Sequence, residues 1–125
     1  MNVVDSSAWL EYFAEGGNAN FFAAAIENVE ELIVPSISLY EVFKRVKQQR
    51  TESEALQVIA VMRQGQVANL DGKIALDAAR ISIELKLPMA DSVMLATARE
   101  YSANFWTQDS HFEGISEVRY KSFSK

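Results

Sequence analysis

Four acidic residues stand where short apolar runs end or helical patterns begin. Asp5 follows the run "NVV", and Asp109 closes the run that ends at Thr107. Glu41 lies early in the helical pattern after Pro35, and Asp91 in the first turn of the one that opens after Pro88. Each has an ordinary structural explanation. Asp5 suits an N-cap for the helix carrying Trp9 and Leu10, and Asp109 or Ser110 suits a cap for a short helix beginning at His111. Ser38-x-x-Glu41 reads as a capping box, in which the two side chains satisfy each other's backbone N–H groups. Asp91 complements a helix dipole. The joint pattern says more. In an open parallel sheet the loops and helix N-termini converge outside the carboxyl ends of the strands, so all four carboxylates are expected to meet there.

Converging carboxylates repel one another, and without compensation some take up protons. A cation among them is therefore expected. The chain has no cysteine and one histidine, His111, so thiolate and histidine-rich sites are excluded and any metal is held by oxygen. The fitting ion is hard, Mg²⁺ or Mn²⁺, which binds through a few carboxylates, waters and substrate phosphate. Its chemistry at such a site is phosphodiester hydrolysis. His111 is a poor general base on this reading, since it follows the acids on the far side of the Asp109 turn.

The elements that must position these residues are short β-branched runs alternating with segments that repeat every three to four residues, the pattern of βα units and a mostly parallel sheet. Strands are expected near 2–4, 32–35, 67–70, 104–107 and 118–121, and helices near 6–14, 18–28, 37–49, 52–64, 72–86 and 89–102. The segment 72–86 is the clearest helix, with Ile74, Ala78, Ile81 and Leu85 on one stripe. The two prolines, Pro35 and Pro88, sit at element boundaries, as the missing N–H requires.

Length and composition set the limits. The 125 residues, 49% hydrophobic, support one domain over 1–125 and one core. The start, "MNVVDSSAWLEYF", lacks a basic region followed by a long apolar stretch, and the longest uncharged run, Gly16 to Ile26, is too short to span a membrane. A soluble cytoplasmic protein with no membrane partner is expected. A net charge of −5 argues against a general nucleic-acid coating protein. Positive charge is nevertheless concentrated in "FKRVKQQR", where Lys44, Arg45, Lys47 and Arg50 fall within two helical turns. A solvated helix face is the ordinary reading of such a run. The alternative is that these four hold an RNA backbone, since phosphate contacts position a strand without reading its sequence.

"VVDSSAWL", "SISLYEVFKRV", "LPMADSVMLATA" and "TQDSHF" resemble, in that order and spacing, the four motifs of PIN-domain ribonucleases, whose small bacterial members are the VapC-type toxins of type II toxin–antitoxin pairs. The likeness runs from Asn2 to about Phe112. It implies a three-layer α/β/α sandwich with a mostly parallel central sheet, and a Mg²⁺- or Mn²⁺-dependent endoribonuclease acting as a toxin. Asp5, Glu41, Asp91 and Asp109 match the family's catalytic acids, with Asp5, Asp91 and Asp109 as metal ligands and Glu41 as a further ligand or as orienter of the attacking water. Ser6 and Thr107 match the hydroxyls that support the cluster. Ser6 stands where threonine is frequent, and Trp106 where a smaller aliphatic residue is usual.

The resemblance also implies a cognate antitoxin whose tail wraps the domain and sets an arginine or lysine among the acids, where a guanidinium pairs bidentately with a carboxylate. Trp9, Phe13, Phe22, Tyr40 and Phe43 are the candidates for its apolar groove, with core packing as the competing role. For Trp9, Tyr12, Phe13, Phe21 and Phe22, helical spacing favours core or partner contact over base stacking. A homodimer of C2 symmetry is the companion expectation. Two rival readings compete with this one. One is a phosphoacceptor receiver domain, although Asp5 stands alone and no lysine directly follows "FWTQD". The other is a PIN-like fold that has lost catalysis and serves as an interaction module.

Overall fold

The computed structural model describes residues 1–123. The chain runs β1 (Asn2–Val4), α1 (Ser6–Phe13), α2 (Ala19–Ile26), β2 (Leu32–Pro35), α3 (Ser36–Gln49), α4 (Glu52–Met62), β3 (Gln66–Ala68), α5 (Gly72–Leu85), α6 (Met89–Glu100), β4 (Asn104–Thr107) and β5 (Val118–Tyr120), with single 3₁₀ turns at Val29–Glu31 and Ser110–Phe112. The strands form one sheet in the order β3-β2-β1-β4-β5, and each adjacent pair is parallel.

Strand alternation sorts the core into two layers, because neighbouring residues point to opposite faces. Val3, Ile33 and Phe105 pack with Ile74, Ala78 and Ile81 of α5 and with Val93, Met94 and Leu95 of α6. Val4, Leu32 and Val34 pack on the other face with Ala8 and Trp9 of α1, Phe22 and Ala25 of α2, Val42 of α3 and Met62 of α4. The result is the expected α/β/α sandwich. α6 is the most enclosed helix, with every residue from Ser92 to Ala98 buried.

Local chemistry sets the boundaries. The Thr51 hydroxyl accepts the Glu54 N–H at 3.1 Å and starts α4, and the Asp71 carboxylate accepts the Ile74 N–H at 2.9 Å and starts α5. The expected strand 67–70 ends instead at Ala68, since the chain must leave the sheet to reach the Asp71 cap. The expected helices 72–86 and 89–102 end at Leu85 and Glu100; Lys86 and Ser102, with φ of 56° and 52°, adopt the left-handed conformation that closes a helix. Between α1 and α2, Gly16 allows a close approach: a Cβ there would lie 2.3 Å from Glu11 Oε1. The Glu11 carboxylate accepts the Asn18 N–H at 2.9 Å, which fastens the turn.

Candidate active site

The strand order reverses direction between β1 and β4: the chain moves outward from β1 to β2 to β3, then returns to place β4 on the other side of β1. The connections leaving these two strands part company there, which opens a crevice at their carboxyl ends. Asp5 is the first residue beyond β1, and its N–H still donates to the Trp106 carbonyl at 2.9 Å. Its own carbonyl accepts from Ala8 and Trp9 and so begins α1. The Asp5 side chain does not cap the helix. Instead, Oδ2 accepts from Thr107 Oγ1 at 2.7 Å and from Ser7 Oγ at 3.1 Å.

Thr107 is a two-way tie. While its hydroxyl donates to Asp5, its oxygen accepts the Asp109 N–H at 2.9 Å. Asp109 Oδ1 accepts the His111 N–H at 2.9 Å, which is the expected cap on the short turn, although that turn begins at Ser110. Ser6 acts similarly on Glu41, donating to Oε1 at 2.8 Å. The capping box Ser38-x-x-Glu41 does not form. Pro35 occupies the N-cap and Ser38 the third helical position, so the Ser38 hydroxyl is buried without a hydrogen-bond partner among the described residues and Glu41 is left to meet Ser6.

Asp5, Glu41, Asp91 and Asp109 line one cleft of about 450 Å³, together with Ser6, Ser7, Leu10, Tyr40, Lys44, Arg45 and Gln48. The structure thus brings the four acids together. Asp91, in the first turn of α6, makes no side-chain hydrogen bond among the described residues. Burial pushes the Asp5 carboxyl up to about 6; the Thr107 and Ser7 hydrogen bonds oppose that, and the Asp109 and Glu41 charges add to it. Asp91 is also pushed up to about 6, first by burial and then by the charges of Asp5, Asp109 and Glu41. In both, burial is the largest cause and the neighbouring carboxylates add negative charge, which for Asp91 the nearby His111 opposes only in part.

That charge and the oxygen donors fit a hard divalent ion such as Mg²⁺ or Mn²⁺. Asp91, Asp109 and His111 each offer one ligand atom within 4.8 Å of the others. The Asp5 carboxylate is drawn instead towards Thr107 and Ser7. The sequence placed His111 beyond the turn; the structure sets its Nδ1 3.2 Å from Asp109 Oδ1, at the exposed rim. The Asp109 cap folds His111 back, and the spacing Asp-Ser-His was the available sign.

The remaining candidates divide. Lys44 and Arg45 border the acids. Lys47 pairs with Glu52 at 3.2 Å, and Arg50 lines a separate groove of about 890 Å³ between α1, α3 and α4, with Leu10, Phe13, Arg45, Val46, Val58 and Val61. Phe13 alone of the five aromatic groove candidates lines it. Trp9 and Phe22 are wholly buried in the layer between the sheet and α1–α4, and offer a partner no surface. Tyr40 and Phe43 line a depression on α3. Trp106 is fitted outside the acid cleft: its indole N–H donates to Asn2 Oδ1 at 2.8 Å and its ring packs on Phe21.

Residues 3–118 match the model of the PIN domain. No curated protein sequence matches the chain. Among solved structures, a toxin–antitoxin complex from Klebsiella pneumoniae superposes with a TM-score of 0.80 at 21% identity, covering 95% of this chain and 96% of the other. The toxin VapC20 from Mycobacterium tuberculosis, described as cleaving the sarcin–ricin loop, gives 0.75 at 16% identity over 95% and 99% of the two chains. DNA-bound VapBC from Salmonella typhimurium gives 0.74 at 16% identity over 97% and 96%. At these identities the structural likeness is one of fold.

Proposed function

The chain belongs to the PIN-domain family, and on that premise we propose that it is a divalent-metal-dependent endoribonuclease, the toxin of a toxin–antitoxin pair. The observation that carries the reading is the meeting of Asp5, Glu41, Asp91 and Asp109 in one cleft at the reversal point of the sheet. Family membership removes the receiver-domain alternative. The likeness in fold to a toxin–antitoxin complex, and to a toxin described as cleaving the sarcin–ricin loop, supports the biological side of this reading.

In this reading Asp5, Asp91 and Asp109 hold Mg²⁺ or Mn²⁺, and Glu41, steadied by Ser6, orients the attacking water or adds a ligand. The ion, when bound, neutralises phosphate charge, activates water and stabilises the leaving oxygen. The protein's part is positional. Thr107 fixes Asp5 relative to the Asp109 turn, and Lys44 and Arg45 bring a phosphate to the cleft. Cleavage leaves a 5′-phosphate and a 3′-hydroxyl. Two further parts complete the proposal. An antitoxin tail occupies the groove between α1, α3 and α4 that reaches Arg45, and a C2 homodimer covers another apolar helix face. No helix among the described residues is long and apolar enough to cross a membrane.

The test is incubation of the purified, antitoxin-free protein with total RNA. Cleavage with Mg²⁺ or Mn²⁺, its loss with EDTA and its loss in Asp91→Asn are expected. No cleavage with either metal would favour the interaction module.

A further inference from the structure

The outer face of α3 carries an aromatic–basic patch that neither the core nor the acid cluster explains. Tyr40, Phe43, Lys44 and Lys47 fall at i, i+3, i+4 and i+7, one side of a helix, and line one depression. Tyr40 is 61% exposed. Lys44 Nζ lies 5.5 Å from the centre of the Tyr40 ring and 3.4 Å from its hydroxyl. Lys44 makes no ion pair among the described residues. Tyr40 and Lys44 also border the acid cleft, so the patch and the cleft form one continuous surface.

Resting on the nuclease reading above, we propose that this face is a nucleotide subsite: Tyr40 stacks an unpaired RNA base next to the phosphate that is cut, and Lys44 holds the intervening phosphate. The occupant follows from the surface. In a chain of net charge −5, cationic groups beside an exposed ring and next to a phosphate-cleaving site favour a polyanion carrying flat apolar rings. Stacking accepts any base but needs one free of its own helix, so the substrate at this point is single-stranded. Tyr40 is thus a substrate-binding residue that selects strand state, while the acids do the chemistry.

The probe is a short single-stranded RNA carrying 2-aminopurine, whose fluorescence falls on stacking, with the same RNA annealed to its complement as control. Binding is measured in Mg²⁺ in an Asp91→Asn background, where the strand stays intact, after each variant is shown by circular dichroism to be folded. Tyr40→Ala is expected to weaken binding by roughly 5- to 150-fold, the range for losing one base–aromatic stack, and to abolish the quench. Tyr40→Trp is expected to restore both, Tyr40→Leu neither, and the duplex to show no quench. With Asp91 restored, Tyr40→Ala is expected to raise KM more than it lowers kcat. Equal affinity and quench in Tyr40→Ala would overturn the proposal. So would unchanged RNA binding with weakened binding of the co-expressed antitoxin, which would make the patch a protein dock. Absence of RNA binding to the Tyr40-containing protein would overturn it too, and metal-dependent cleavage of total RNA by the unmodified protein then tells whether the nuclease reading survives.

Discussion

Asp91→Asn should make the metal-free protein more stable at neutral pH while removing its activity. The carboxyl is raised from its ordinary 3.8 to about 6, and a shift of that size corresponds to about 3 kcal/mol of differential interaction at about 1.4 kcal/mol per unit. Asp91 is only half buried, so solvent screening reduces this to about 1–1.5 kcal/mol. The folded state holds the proton more tightly than the unfolded one. Stability from this group is therefore fully present below about pH 4 and is lost as pH rises through about 6. Above that, the ionised form is a net cost that asparagine does not carry. Because Asp91 makes no side-chain hydrogen bond among the described residues, the exchange changes charge and little else. Thermal melts in EDTA at about pH 7.5 should show the variant melting higher by about 4–6 °C for a domain of this size. The gap should shrink by roughly half at about pH 5, where the native carboxyl is mostly protonated. Mg²⁺ should stabilise the native protein more than the variant, because a ligand that binds only the folded state raises its stability. A variant that melts lower in EDTA, or a gap that widens at acid pH, would contradict the raising of the Asp91 carboxyl by burial and its acidic neighbours.

Thr107→Val removes the hydroxyl that lowers the Asp5 pKa, so the acidic limb of a pH–rate profile should move to higher pH, and chemical denaturation should show a loss of about 1–3 kcal/mol for the buried groups left unpaired. Lys44→Ala should raise the Kd for single-stranded RNA and make the slope of log Kd against log salt shallower by about one phosphate contact. Gly16→Ala places a methyl 2.3 Å from the Glu11 carboxylate; displacing that side chain from the Asn18 N–H should cost about 0.5–2 kcal/mol of stability in urea titrations, with metal-dependent cleavage retained once folded.

The sandwich was legible because its elements are locally consistent. The stripe of α5, the prolines at boundaries and the β-branched runs all point the same way. The meeting of the acids was legible too, because the parallel sheet gathers helix starts and strand ends at one edge. What periodicity does not encode is how a side chain chooses between partners. Ser38 and Glu41 have the spacing of a capping box, but the helix starts two residues earlier than Ser38, and Glu41 turns to Ser6. Trp9 and Phe22 are apolar in sequence whether they face core or groove. Only the packing against Val4 and Val34 decides for the core. His111 differs for the opposite reason: it follows the acids in sequence, but a two-residue turn capped by Asp109 brings it back beside that carboxylate.

On the proposed function, these acids form a site for a divalent ion on which RNA cleavage depends. Anomalous diffraction from crystals soaked in Mn²⁺, free of antitoxin, tests it most directly. A manganese peak is expected in the cleft, in contact with carboxylate oxygens of Asp91 and Asp109 and reaching Asp5 directly or through water, with no such peak in crystals of Asp91→Asn. A protein that cuts RNA yet shows no manganese between these carboxylates would contradict it.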